Sequence, residues 1–190
     1  SEACRYFKMS ADSGSKVGLY KYGCMLKEGE GIERNDEEAC RYFKEAIEKG
    51  QVDALSEYGL MAKEGRGIPQ NFFEAAHYFK EAAEKGNIDG MYNYGIMIKN
   101  GEGIRKNEKE SVKYLKEAAD KEQIDAMNEF GMMLKNGVAV EQNYLKAIKY
   151  YEKAAELENS DAMIILGDLY FNDLIINYNH NKSIKYYEKA

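Results

Sequence analysis

No stretch of this sequence approaches the ~18 apolar residues that a membrane-spanning helix requires. The longest apolar run, Ala162 to Gly167, covers only a few residues. Positive charge is not in excess either: 27 Lys and Arg stand against 33 Asp and Glu, a formal net charge of −6. A phosphate-binding surface needs clustered positive charge, and the sequence displays no such cluster. Neither a nucleic-acid nor a membrane partner is therefore expected. Cysteine is scarce, with three residues, too few for a disulfide framework. No signal peptide is visible. The chain opens on Ser1 and stops inside a helical pattern at Ala190, so it reads as a fragment of a longer protein.

What is present is a period. Stepping by 36 residues finds Gly23, Gly59, Gly95, Gly131 and Gly167, and also Tyr6, Tyr42, Tyr78, Tyr114, Tyr150 and Tyr186. Asn35, Asn71, Asn107, Asn143 and Asn179 recur in the same way, and Met25, Met61, Met97 and Met133 are followed by Leu169. Repeats at such periods mark arrays of stacked supersecondary units. The chain divides without insertions into copies 15–50, 51–86, 87–122 and 123–158 and a truncated 159–190, with 1–14 as the second half of an earlier copy. Hydrophobic content of 44% is ordinary for a globular chain.

Each copy reads as helix, loop, helix. In 51–86, Ala54, Leu55, Tyr58, Gly59, Met61 and Ala62 follow helical spacing on one broad face. The loop glycines at 65 and 67 suit a reversal with positive φ. The recurring Asn is a helix N-cap, and an acid three residues on (Glu38, Glu74, Glu110) makes a capping-box-like pair. The second helix ends at Gly14, Gly50 or Gly86. Glu122 and Glu158 replace that glycine, so those two turns are expected to close differently. A mid-helix glycine costs ~1 kcal/mol against alanine. Close approach of the partner helix, with Tyr78 and Phe79 needing room, is the expected compensation.

The string "A…YG…M…G.GI…N…A..YFKEAAEKG" resembles the Sel1-like repeat, a relative of the tetratricopeptide repeat, over essentially the whole chain. A true tetratricopeptide array would keep a period near 34 residues, shorter than the 36 found. In the last copy Asp173 and Ile175 stand where the loop glycines belong, which departs from the family pattern. The resemblance implies an all-α fold, an α/α right-handed superhelical solenoid of helix-loop-helix repeats with first helices on the concave side. It also implies a protein scaffold or adaptor. Residues 1–190 then form a single solenoid.

No catalytic constellation emerges, so an enzyme is not expected, nor a cofactor or metal. His77 and His180 do not repeat, and both read as surface residues. Convergent Cys/His spacing for zinc is absent, and GxGxxG is incomplete in every loop. Glu81 with Lys85 and Glu117 with Lys121 read as solvated i,i+4 pairs, and the repeated tyrosines read as core. Equivalent helices stack ~8–10 Å apart, so Cys4 and Cys40 lie beyond disulfide reach, about 7 Å. That favours a reducing compartment, and hence the cytoplasm. The sequon Asn181-Lys182-Ser183 matters only in a secretory one.

Positions that differ between copies are free to specialise. On the first helices, the side opposite the apolar face carries one variable row of Tyr20, Ser56, Tyr92, Asn128 and Ile164, and a second of Lys21, Glu57, Asn93, Glu129 and Ile165. A third row reads Cys24, Leu60, Ile96, Met132 and Asp168, apolar in four copies. It has two readings: lateral packing of neighbouring first helices, or an apolar stripe lining a concave groove. The groove reading selects Tyr20, Cys24, Glu57, Leu60, Tyr92, Asn93, Ile96, Asn128, Glu129 and Met132 as partner-binding residues for an extended or helical protein segment. The alternative is a regulatory repeat region of a larger enzyme with its catalytic domain elsewhere. Ile184, Tyr186 and Tyr187 lack a covering layer in the sequence, which calls for further repeats, a capping helix or self-association.

Overall fold

The computed structural model describes residues 2–171 and 179–190. Among them every regular element is an α-helix. Asp173 and Ile175 lie outside the described residues. The chain divides into two compact units at Lys106/Asn107. The first holds α1 (Glu2–Asp12), α2 (Lys16–Glu28), α3 (Asp36–Glu48), α4 (Val52–Glu64), α5 (Phe72–Glu84) and α6 (Ile88–Asn100). The second holds α7 (Glu108–Asp120), α8 (Ile124–Asn136), α9 (Tyr144–Glu156), α10 (Ser160–Phe171) and α11 (His180–Lys189). The fold is an all-α solenoid of helix-loop-helix repeats.

The loops between first and second helices close as the glycine and asparagine signals require. Gly65 takes φ 71° at the end of α4 and returns its N–H to the Met61 carbonyl. Asn71 then does two jobs. Its backbone N–H donates to the Ala62 carbonyl at 2.8 Å, closing the hairpin, while its side chain accepts from the Glu74 N–H at 3.1 Å. Asn35 and Asn143 repeat both bonds. In the fourth copy Ala139 sits at φ 57°, where the earlier copies have their second loop glycine.

The turns after the second helices overturn one expectation. Glu122 and Glu158 close them as the glycines do, with φ of 66° and 62° against 80° at Gly50. The same six-residue bond recurs: Gln51 N–H to Ala46 O at 2.9 Å, Gln123 N–H to Ala118 O at 3.1 Å and Asn159 N–H to Ala154 O at 3.1 Å. Packing of the next first helix imposes a left-handed residue there, and the glutamates accept the strain.

The close approach expected at the mid-helix glycine is present, and of the two rings expected to need room there it is the second that makes it. Phe79, fully buried, lies against Gly59, where an added Cβ would sit 3.0 Å from its ring. Tyr78, one position earlier, turns aside and meets Tyr58 edge-on with centroids 4.7 Å apart. Tyr22 with Tyr42 and Phe130 with Tyr150 repeat that geometry at 4.8 and 5.0 Å. The repeated tyrosines are thus the flank of the core, and the next residue (Phe43, Phe79, Leu115, Tyr151) is its centre. Tyr6 is 59% exposed and is not core.

Candidate interaction face

First helices are tied laterally by polar bonds. In the first unit Lys27 on α2 reaches Glu57 on α4 at 2.8 Å. Ser56 on α4 donates to the Asn87 side-chain oxygen at 2.6 Å, which also accepts from the Gly90 N–H at the start of α6. Ser56 is therefore buried, although on an isolated helix it falls on the polar side. A helical-wheel projection of one repeat cannot find it, because the covering group belongs to the next copy.

The candidate residues of the first unit lie on this side of α2, α4 and α6. Tyr20 and Cys24 are partly buried against the core, the Tyr20 ring 6.2 Å from that of Phe43. Burial, and then the Glu57 carboxylate, push the Cys24 thiol up to about 11, so it stays protonated and behaves as an apolar group. Burial likewise raises the Tyr20 phenol above its ordinary range. Leu60, Tyr92, Asn93 and Ile96 are half-buried. The Asn93 amide donates to the Asp89 carbonyl one turn back, at 2.9 Å.

In the second unit Asn128 and Glu129 are half-buried and Met132 is 38% exposed. The Asn128 amide donates to the Asn159 side-chain oxygen at 2.9 Å, the counterpart of Ser56 with Asn87. The Glu129 charge adds to burial in raising the Tyr151 phenol. Ser183, in the sequon, is buried and donates to the Gly167 carbonyl at 2.9 Å. His77 and His180 are exposed.

Among the described residues, no group of three His, Cys, Asp or Glu side chains is arranged to hold a metal ion. No helix there is long and apolar enough to cross a membrane. The reading that positive charge is nowhere clustered needs correction. Lys146, Lys149 and Lys153 line a cavity of about 500 Å³ on α9, together with Leu145, Tyr150, Asn143 and Asp120. The signal was in the rows, since Glu38, Glu74 and Glu110 give way to Lys146, and Glu45, Glu81 and Glu117 to Lys153. Whole-chain charge conceals it.

Solved structures share this architecture. The protective antigen c5321 of uropathogenic Escherichia coli, displaying an SLR fold, matches 98% of the chain at 25% identity and a TM-score of 0.86. The chain spans only 40% of that protein's length. A Sel1 repeat protein from Oxalobacter formigenes matches 98% of the chain, and 77% of its own length, at 25% identity and a TM-score of 0.91. The immunity protein Pa5087 of Pseudomonas aeruginosa, 17% identical over 98% of the chain and 71% of its own, shares the fold with a TM-score of 0.64. No curated protein matches the chain. The Sel1 repeat model matches residues 1–15, 17–51, 52–87, 88–122, 124–159 and 160–190. With nearly every residue inside a matched repeat, the chain belongs to the Sel1 repeat family.

Proposed function

We propose that the chain is a non-enzymatic scaffold that receives a partner protein's segment on the variable side of its first helices. Sel1 repeats are generally protein–protein interaction scaffolds. The carrying observation is the row Cys24, Leu60 and Ile96, with Met132 in the second unit. These apolar side chains keep solvent exposure while their helix neighbours Leu26, Met61, Met97 and Met133 are buried. Tyr92 and Met132 are adaptable contact residues. In the first unit the segment lies over α2, α4 and α6, against Tyr20, Cys24, Glu57, Leu60, Tyr92, Asn93 and Ile96. In the second, Asn128, Glu129 and Met132 on α8 offer the equivalent side, with the Asn128 amide shared with Asn159. Ile184 and Tyr187, 41% and 43% exposed on α11, add apolar surface suited to a further repeat or a second copy.

Affinity capture with the wild-type chain and with Tyr92→Ala/Ile96→Asp tests the reading. Both substitutions fall on half-buried positions, so helical content and melting temperature are expected to hold while captured partners are lost. Unchanged capture by the double variant sinks the proposed face.

A further inference from the structure

The second helices carry a charge reversal that the first-helix face does not explain. Acidic side chains outnumber basic ones on α3, α5 and α7, and the balance turns over on α9 and α11. On the earlier helices the cations are answered from within. Arg41 meets Glu38 at 3.4 Å, Lys85 meets Glu81 at 3.4 Å, and Lys116 meets Asp120 at 2.6 Å. On α9 the rows of Glu38 and Glu81 have become Lys146 and Lys153, while the row of Asp120 stays acidic as Glu156. Among the described residues no ion pair joins Lys146, Lys149 or Lys153 to a carboxylate. Spaced three and then four apart, they share one helix face and span about 10 Å.

These lysines border the cavity of about 500 Å³ described above. Leu145, 69% exposed, gives it an apolar wall. Asp120 is the acidic residue of the lining, and it is already engaged by Lys116 and by the Tyr150 hydroxyl, each at 2.6 Å. Three neighbouring like charges repel one another on a helix, and Asp120, whose carboxyl feels Lys153, offsets them in part. An external carboxylate row would answer the rest.

We propose that the outer face of α9 docks an extended acidic segment of a partner protein, its carboxylates along Lys146, Lys149 and Lys153 and one apolar side chain against Leu145. In an extended chain alternate side chains share a face and repeat about every 7 Å, so two acidic residues one apart cover the lysine row. Nucleic acid fits less well. The face has no arginine fork for phosphate, and Tyr150, 9% exposed, offers no open ring for a base. This surface is independent of the first-helix face, and each can fail alone.

Fluorescence anisotropy on the intact chain tests it. The probe is a fluorescein-labelled octapeptide of alternating glutamate and serine with a central leucine. The same peptide with lysine for glutamate, and a single-stranded oligothymidylate, are the comparisons. The acidic probe is expected to bind, more tightly at low ionic strength, and Lys146→Glu/Lys149→Glu/Lys153→Glu to weaken it about tenfold or more. Leu145→Ser weakens it severalfold with the salt dependence kept, and Lys113→Glu on α7 leaves it within about twofold. Should the triple variant misfold, Lys149→Gln alone still carries a measurable loss. Undiminished binding by a folded triple variant, or by Lys149→Gln, overturns the proposal. So does binding of the oligonucleotide or the lysine peptide in place of the acidic one.

Discussion

A Cβ built on Gly23 would stand 2.8 Å from the ring of Phe43, which is itself fully buried and has no free direction in which to retreat. The glycine is therefore a packing requirement. Gly23→Ala gains up to about 1 kcal/mol in helix propensity and loses about 1–3 kcal/mol to overpacking. A net destabilisation of about 1–2 kcal/mol is expected in urea unfolding. Adding Phe43→Leu, which copies Leu115 at the same position, should recover most of it. A stabilised Gly23→Ala single variant would contradict the close-approach account.

The turns at Glu122 and Glu158 hold a residue type that resists φ near 60°. Glycine takes that conformation without a Cβ clash worth roughly 1–2 kcal/mol, though it brings back unfolded-state entropy. Glu122→Gly and Glu158→Gly are each expected to stabilise by about 0.5–1 kcal/mol, read as a raised melting temperature. A lowered one would show that the side chains contribute something the backbone does not reveal.

Tyr151 is fully buried, and its hydroxyl has no hydrogen-bond partner among the described residues. An unsatisfied buried hydroxyl costs about 1–3 kcal/mol. Phe43 and Phe79 fill the same position in earlier copies. Tyr151→Phe is expected to stabilise by about 1 kcal/mol in denaturant titration, with secondary structure unchanged.

Asp36 receives Arg34 at 2.6 Å and Arg66, from the following copy, at 3.0 Å. Hydrogen bonds from Arg34 and then Arg66 hold its carboxyl at about 2. The folded value lies below the unfolded one, so the stabilisation is full above about pH 4 and is lost as pH falls toward 2. Solvent screening limits it to no more than about 1 kcal/mol. Asp36→Asn should melt below wild type at neutral pH, and the two melting curves should converge between about pH 4 and pH 2. A gap that persists at the acid end would assign the loss to something other than this charge.

The period, the helix pairs and the asparagine caps were legible in the sequence because each rests on local chemistry. A cap needs its own side chain and the amide three residues on, and a loop glycine needs only its own φ. The rest depended on neighbours. Tyr78 and Phe79 sit about 100° apart on one face, so spacing alone could not say which ring meets Gly59. Ser56 looked solvent-facing until Asn87 was placed over it. Glu122 was expected to alter its turn, and tertiary packing overrode residue preference. Of the candidate face, the row of half-exposed apolar residues was readable. The engagement of Asn128 with Asn159 and the lysine-lined cavity on α9 required comparison across copies.

The bond from Ser56 to Asn87 recurs as Asn128 to Asn159. At the junction after the first full copy the chemistry is different: bulky Tyr20 takes the place of Ser56, and the Gln51 amide turns to Asp53 at 3.0 Å. In the sequence Tyr92 precedes Gln123 at the same spacing, so the residue pairs at these positions alternate from copy to copy. Excising one copy would confront Tyr20 with Asn87, a mismatched coupling, whereas excising two restores tyrosine before glutamine. Units of this array are interchangeable in shape but not in order, and its length can grow or shrink by duplication most smoothly in pairs.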